Sequence, residues 1–414
     1  MIRLAKTLAV TTALSFVFSA ALSQSAQAQT YTVLHNFTNG NDGASPVTGV
    51  TVDRGGNLYG TTTAPNYGSI FKLTSQGILS ILYTFLGNPG NDGADPEAGL
   101  AFGPDGSLYG TTYYGGGTLC RNYVFQIVGC GTAYRLQPPA EVCKSTSCPW
   151  LETILNRFNI GVDGTIISSG SLVFDQAGNI YGTTEEGGDR YWGPAYELTP
   201  SNGGWAESLV YSFTGHQDGA GPQGVIFDSA GNLYGTTEGY DDAPDDHYGV
   251  AFQLVPSGSG WSENVLYTFQ NGADGRTPQA PPTLDQQGNL YGSTSSLGTD
   301  GAGTVFELSP SGQGWTFNVL YSIPGGISCG PQGALIIDSA GNLYGTTLCA
   351  GAHGLGSVFE LTYPNWTYVS LHDFDGSDGQ NPYGALAFGP NGELYGTTSA
   401  GGQNGYGVVF KITQ

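Results

Sequence analysis

One heptapeptide recurs seven times along the chain, and its spacing constrains the fold more than any other feature. The first copy reads Gly56-Asn57-Leu58-Tyr59-Gly60-Thr61-Thr62. Successive copies are 50 to 72 residues apart, a period that indicates a repeat architecture in which each repeat is one small structural unit. The tyrosines of the seven copies are Tyr59, Tyr109, Tyr181, Tyr234, Tyr291, Tyr344 and Tyr395.

Each repeat contains four short apolar runs, a to d, separated by turn residues. In the first repeat they cover residues 50–52, 57–61, 69–73 and 81–85. Short, partly alternating runs joined by short turns predict strands that form an antiparallel meander. The sequence therefore predicts an all-β protein, a seven-bladed β-propeller in which every blade is a four-stranded antiparallel sheet.

The seventh run d lies at the start of the chain instead of at its end. Leu34 to Phe37 precedes the first run a, whereas the last repeat stops after run c at Gln414. We expect the strand from Tyr31 to Phe37 to complete the last blade beside Val408 to Ile412. This N-terminal strand would close the ring and cover a sheet edge that is otherwise open.

The positions within the heptapeptide have separable structural roles. Gly56 and Asn57 suit the turn between runs a and b, where a positive φ is needed. Tyr59 is expected to pack as a large plate between blades, and Gly60 to let a neighbouring sheet approach closely. Because all seven copies carry the tyrosine, we interpret it as scaffold and not as a catalytic group.

The first 28 residues have the form of an export signal. Arg3 and Lys6 precede an apolar stretch, and Ala26-Gln27-Ala28 offers a cleavage site. We expect residues 1–28 to be removed and residues 29–414 to form a single propeller domain, secreted to the periplasm or the exterior. No later run reaches the roughly 18 apolar residues that a membrane helix needs.

The charge balance excludes one class of partner. The whole chain has a net charge of −22, and without Arg3 and Lys6 it has 9 basic residues against 33 acidic ones. An acidic surface of this kind repels phosphate backbones, so we do not expect nucleic acid to bind.

Six cysteines in an exported chain are expected to form disulfides. Their places in the repeat predict three local bonds, of which two lie in connections of the long second repeat. The third joins the loop that leads into one blade to a later loop of that blade. The predicted pairs are Cys120–Cys130, Cys143–Cys148 and Cys329–Cys349.

The assembled motifs resemble the GloVer (Gloeo-Verruco) tandem repeat of exported bacterial proteins. The strand motif reads Leu343-Tyr344-Gly345-Thr346-Thr347, and a second motif in the preceding repeat reads Gly303-Thr304-Val305-Phe306-Glu307-Leu308. The resemblance implies a secreted, often surface-associated protein of undefined activity. It implies no catalytic residues.

The strands expected to line the central channel lack ionisable residues at their middle positions. A propeller hydrolase or lyase needs carboxylates, amides or imidazoles there to hold a metal or to move a proton. Their absence argues against an enzyme. The middle positions are Thr51, Ala101, Val173, Ile226, Thr283, Ile336 and Ala387.

Two neighbouring b–c loops depart from the repeat and are acidic and aromatic. Aromatic plates beside carboxylates suit a sugar, a basic peptide or Ca²⁺, although a solvated loop face is the plainer interpretation. The candidate ligand-binding residues are Glu185, Glu186, Tyr191, Trp192, Glu238, Tyr240, Asp241 and Asp242.

Two hypotheses for function stay open. The first is a secreted binding or scaffold propeller whose loop face recognises a glycan, a protein or a cell-surface component. The second is a hydrolase or lyase with a metal site at the channel mouth. No metal-binding motif is present, so Ca²⁺ is the only cofactor left open. Aspartates that precede glycine after run d are typical of turns: Asp42, Asp92, Asp163, Asp218, Asp274 and Asp378.

Overall fold

A computed structural model describes most of the chain after the predicted export signal. It covers residues 29–87, 92–117, 129–139, 149–159, 165–167, 170–240, 248–258, 260–312 and 314–414. The described strands form seven antiparallel sheets arranged as a ring, which confirms the seven-bladed propeller. No helix of the described residues is long and apolar enough to cross a membrane.

The heptapeptide forms strand b of every blade, second from the channel. Leucine or isoleucine begins each of these strands, and β-branched threonine follows, which favours extended backbone. The b strands are β3 (Leu58–Thr62), β7 (Leu108–Thr112), β12 (Ile180–Glu186), β16 (Leu233–Thr237), β20 (Leu290–Thr294), β24 (Leu343–Thr347) and β28 (Leu394–Thr398).

Strand a is short and lies nearest the propeller axis. It pairs with strand b through a turn in which Asp53 accepts the backbone N–H groups of Gly55 and Asn57. The a strands are β2 (Thr51–Val52), β6 (Ala101–Phe102), β11 (Val173–Phe174), β15 (Pro222–Phe227), β19 (Thr283–Leu284), β23 (Ile336–Ile337) and β27 (Ala387–Phe388).

Strand c supplies the aromatic core of each blade. Phe71 lies opposite Gly60, and a Cβ atom on Gly60 would lie 2.6 Å from the Phe71 ring. The glycine thus makes room for a ring of its own blade, and the expectation that it admits a neighbouring sheet is wrong. The c strands are β4 (Ser69–Leu73), β8 (Thr132–Gln137), β13 (Pro194–Ser201), β17 (Val250–Ser257), β21 (Gly301–Ser311), β25 (Ser357–Thr362) and β29 (Val408–Thr413).

Strand d forms the outer rim. Six d strands follow strand c of their own blade, and the seventh comes from the N-terminal end. The d strands are β5 (Leu79–Thr84), β9 (Leu151–Arg157), β14 (Gly204–Ser212), β18 (Gly260–Thr268), β22 (Gly314–Pro324), β26 (Thr367–Asp373) and β1 (Thr30–Asn36). One further strand, β10 (Thr165–Ile167), pairs with the end of β12.

The ring closes as the sequence predicts. β1 pairs antiparallel with β29, from Thr30 opposite Thr413 to Asn36 opposite Val408, with one irregularity after Val33. The last blade therefore has the order β27-β28-β29-β1, and the first and last parts of the described chain share one sheet.

The heptapeptide tyrosines pack between blades, also as predicted. Tyr59 is 4% exposed and meets the rings of Phe102 and Trp150 of the next blade edge to face. Its hydroxyl donates to Asp53 at 3.1 Å. Each tyrosine in this position is therefore a strut that joins two blades.

One predicted disulfide is confirmed. Cys329 and Cys349 are bonded, which ties the loop entering the sixth blade to the b–c loop of that blade. Cys130 is also in a disulfide. Cys120, Cys143 and Cys148 lie outside the described residues, so those two pairings stay predictions.

The aspartates after strand d act in turns. Asp218 accepts the backbone N–H of Thr214 at 2.9 Å and the hydroxyl of Tyr211 at 3.0 Å. Asp274 accepts the backbone N–H of Gln270 in the same way. Asp163 lies outside the described residues.

Candidate functional site at the channel mouth

The segments leading into the a strands enclose a cavity of about 510 Å³ to which all seven blades contribute. Adjacent blades meet there backbone to backbone. A Cβ atom on Gly49 would lie 2.1 Å from the carbonyl oxygen of Ala385 in the last blade, so only glycine fits. Since strands alternate in direction, the d–a and b–c loops share the face on which this cavity opens.

An inner ring of side chains, polar except for Val47, borders the mouth. It consists of the residue after a proline that lies before or at the start of the a strand, and six of the seven blades follow this pattern: Val47, Glu97, Gln223, Gln279, Gln332 and Tyr383. All of these except Gln223 line the cavity. Two amides, Gln279 and Gln332, and the carboxyl of Glu97 therefore face an opening whose deeper walls are apolar.

Two glutamates from the b–c side reach this ring. Glu185 and Glu238 directly follow the paired threonines of β12 and β16. The Gln223 amide nitrogen lies 3.5 Å from a carboxyl oxygen of each, and the Gln279 amide donates to Glu238 at 2.7 Å. The glutamine amides thus connect the two acidic loops to the channel mouth.

The pKa values of the carboxyl groups at the mouth are raised. Burial, and then the charge of Glu238, raise the pKa of Glu185 to about 8, although the Gln223 amide acts in the opposite sense. Burial also raises the pKa of Glu238. Burial and the charge of Asp95 raise the pKa of Glu97 to about 7. Glu97 is exposed at the mouth, whereas Glu185 and Glu238 are half-buried.

Aromatic rings border the acidic part of the mouth. The rings of Trp192 and Tyr240 lie 6.1 Å apart, and Tyr240 closely approaches Gly221. Burial, and then the charges of Glu185 and Glu238, raise the pKa of Tyr240. The site can therefore offer stacking surfaces, amide donors and carboxyl groups to one polar ligand.

Trp192 also has a place in the repeat that the sequence reasoning missed. Its carbonyl oxygen accepts the N–H of Gly221 from the next blade at 3.0 Å, as the carbonyl of Tyr67 does from Asp95. Trp192 is half-buried and packs against Gly215. It is thus an aromatic that supports a loop contact between blades as well as a candidate for stacking.

The predicted ligand-binding residues divide into three groups. Glu185, Glu238, Trp192 and Tyr240 come together at the mouth. Glu186 and Tyr191 are exposed on the third blade's loop, with Tyr191 67% exposed. The remaining two, Asp241 and Asp242, lie outside the described residues.

The inner ring was not predicted because its residues lie before or at the start of the a strands and not at their centres. Its signal is readable in the sequence, where proline and glutamine recur together as Pro222-Gln223, Pro278-Gln279 and Pro331-Gln332. Within the described ranges no group of three or more His, Cys, Asp or Glu side chains is arranged to hold a metal ion.

The fold defines a class, the seven-bladed β-propeller, and several solved structures share it. A polysaccharide lyase, an ulvan lyase, has a TM-score of 0.53 at 12% identity over 90% of this chain and 94% of its own. The polysaccharide lyase Uly1 has a TM-score of 0.51 at 10% identity over 92% and 91%. The extracellular domain of BT4673 from B. thetaiotaomicron has a TM-score of 0.55 at 10% identity, over 91% of this chain and 39% of that one. At such identities the likeness shows the fold alone.

The particular family follows from the repeat itself. Residues 241–414 match the model of the Gloeobacter/Verrucomicrobia repeat. The matched segment contains three of the seven repeats, and the resemblance inferred from the motifs is confirmed. The comparison with curated proteins found no match.

Proposed function

We propose that the protein binds a carbohydrate at the mouth of its central channel. The observation that carries this proposal is the inner ring, in which Gln279, Gln332 and Glu97 converge on one cavity. Amides and carboxyls pair with the adjacent hydroxyls of a sugar, because each side chain offers donors or acceptors in a fixed plane. Tyr383, 39% exposed in the same wall, offers a face for stacking.

The same proposal places the protein outside the cytoplasm. Disulfides persist in oxidising compartments, so the Cys329–Cys349 bond supports export to the periplasm or the exterior. A binding protein in that location would meet glycans of the cell surface or the surroundings. A protein partner on the same loop face is the competing possibility within this class.

A second candidate, a hydrolase or lyase, is favoured by one observation. Glu185 holds its proton near neutral pH and shares the Gln223 amide with Glu238. A carboxyl group that stays protonated is suited to donate a proton to a leaving group. Release of shorter fragments from a bound oligosaccharide would support this candidate, and intact recovery would favour binding alone.

The binding proposal is tested by screening residues 29–414 against a glycan array and titrating the best ligand by calorimetry. We expect Gln279→Ala and Gln332→Ala each to weaken binding by about tenfold, because each removes a hydrogen bond to the ligand. The matched control is Gln287→Ala, an exposed glutamine in an a–b turn on the opposite face. Parental affinity in both mouth variants, or equal weakening in the control, would overturn the proposal.

A further inference from the structure

Three carboxyl groups at or beside the mouth have no basic partner among the residues that the structure describes. In the described part of the chain, Glu97, Glu185 and Glu238 form no ion pair with a lysine, arginine or histidine. They come from three neighbouring blades, the second, third and fourth. After burial, the charges of all three raise the pKa of the Tyr383 hydroxyl, which reaches the mouth from the seventh blade. The three carboxyl groups on one side of the mouth therefore all influence one hydroxyl group on the opposite side.

A second feature of the same cavity is a polar side chain that is available to a ligand. Gln332 is 8% exposed and lines the cavity, yet its side chain has no hydrogen-bond partner among the residues that the structure describes. The side chain is held in the wall by the surrounding protein, while its amide atoms meet the open space of the cavity and keep their donors and acceptor available. Because Gln332 lies in the cavity wall, its amide can form hydrogen bonds to a ligand in the mouth.

Resting on the proposed carbohydrate function, we propose that the site selects amine-bearing sugars over neutral ones. The ammonium group would lie among Glu97, Glu185 and Glu238. The ring hydroxyls would be held by Gln279 and Gln332. A glucosamine unit carries both kinds of group within one ring, which matches the mixture of carboxyls and amides at the mouth.

The physical reason for this preference is that the three carboxyl groups have no basic partner among the described residues. Three neighbouring carboxyls repel one another when ionised, and a bound cation removes that repulsion. The aromatic faces of Tyr240 and Tyr383 add attraction for an ammonium group. A sugar carrying an anionic group would meet the same carboxyls as repulsion, so acidic polysaccharides should bind worst.

Proton release should accompany binding of the amine. The pKa of Glu97 is about 7 and that of Glu185 about 8, so both groups are partly protonated near neutral pH. A cation stabilises the ionised forms and expels protons. A neutral sugar of the same size has no such effect, which separates the two ligands by a readout other than affinity.

The experiment compares a β-1,4-linked glucosamine tetramer with its fully N-acetylated form by calorimetry at a mildly acidic pH, where the free amines are already charged and take up no proton on binding. The amine form should bind at least tenfold more tightly and release protons, detected as a binding heat that depends on the buffer. The double variant Glu185→Gln with Glu238→Gln should lose this preference while still binding the acetylated form. Glu393→Gln, the same change in an a–b turn on the opposite face, is the matched control and should keep it.

Thermal melting will show whether the double variant folds. If it does not, Glu97→Gln, at a position open to solvent, should reduce the preference by about threefold. Equal binding of both tetramers, or a preference that persists in the variants, overturns the inference and leaves the carbohydrate proposal standing. Binding of neither tetramer, nor of any glycan on the array, overturns both.

Discussion

Neighbouring outer strands are joined by aromatic stacks on one side of the ring and by glutamates on the other. The difference lies in one position of strand d. This position is four residues before a tyrosine, histidine or asparagine that lies near the end of the strand. From the last blade through the sixth, in chain order, this position holds Tyr31, Leu79, Glu152, Glu207, Glu263, Phe317 and Tyr368. We call the two kinds of contact stacked seams and acid seams.

The stacked seams join the fourth to the seventh blade. Phe317 lies parallel to Tyr267 of the preceding blade with ring centroids 3.7 Å apart. Tyr31 stacks in the same way on His372 at 3.7 Å. Rings stacked at this distance are in van der Waals contact, so this position buries an aromatic face and no carboxyl.

The acid seams join the first to the fourth blade. In place of a ring they contain Glu152 and Glu263, and each has one buried carboxyl oxygen with no hydrogen-bond partner among the described residues. Burial, and then the charge of Asp92, raise the pKa of Glu152 to about 7. Burial and the charge of Asp218 do the same for Glu263.

This comparison shows that blades with the same repeated sequence motif can be joined by chemically different contacts. Tyr211 in an acid seam and Tyr267 in a stacked seam both donate to a turn aspartate at 3.0 Å, so the scaffold around them is shared. Only the facing residue changes. The blades with acid seams also supply Glu97, Glu185 and Glu238, which concentrates buried acid in one part of the ring.

The largest effect is expected from removing a stacked seam together with its strand. Deleting residues 29–36 takes away β1 and exposes the edge of β29, so we expect aggregation or loss of a cooperative melting transition. Tyr31→Ala is the control that removes the ring while keeping the strand, and it should lower the melting temperature by only a few degrees. Unchanged melting and a monodisperse deletion variant would contradict the role of β1 in closure.

A smaller effect is expected from turning a stacked seam into an acid seam. Phe317→Glu removes a packed ring and buries a carboxyl, so the free energy of unfolding at pH 8 should fall by about 3–5 kcal/mol. Urea denaturation gives this value. The reciprocal change, Glu263→Phe, should raise stability at pH 8. If both substitutions have effects of the same sign, the facing residue does not determine the seam.

The smallest effect concerns pH. The folded-state pKa values of Glu152 and Glu263, about 7, lie above the unfolded value near 4.5. Between these limits the native state binds more protons than the unfolded state, so stability should fall as pH rises from about 4.5 to about 7. The urea midpoint should therefore be higher at pH 5 than at pH 8.

The double variant Glu152→Gln with Glu263→Gln sharpens this test. It should reduce the difference between the two urea midpoints, with the remainder arising from the channel-mouth glutamates. A slope equal to that of the parent protein would show that the acid seams do not titrate in this range. Phe317→Leu, in a stacked seam, should lower both midpoints without changing their difference.

Most of the architecture follows from the sequence because the signal is repeated. Seven copies of one strand determine the blade count, and the seventh run d at Leu34 to Phe37 reveals the closure. The Cys329–Cys349 bond follows because the repeat places both residues in loops of one face. The role of Gly60 was predicted wrongly, because the strand pattern does not show that the Phe71 ring lies across its own blade.

The site was predictable only in part, for a geometric reason. Glu185 and Glu238 stand out because they break the repeat. Gln279 and Gln332 follow a proline in a connecting segment, and only the assembled ring brings such segments to one axis. Acid seams are harder to predict, because Glu263 and Tyr211 belong to different blades. No local sequence pattern shows that these two residues face each other.

Closure by β1 also fixes an order of events during synthesis. Thr30 is synthesised before the other six blades and its partner Thr413 after them, so the first strand must wait while those blades are produced. Formation of this long-range pair carries a large loop-closure cost and should come late in folding. Until then the nascent protein has two unsatisfied strand edges, and chaperones have an extended interval in which to hold or transport it.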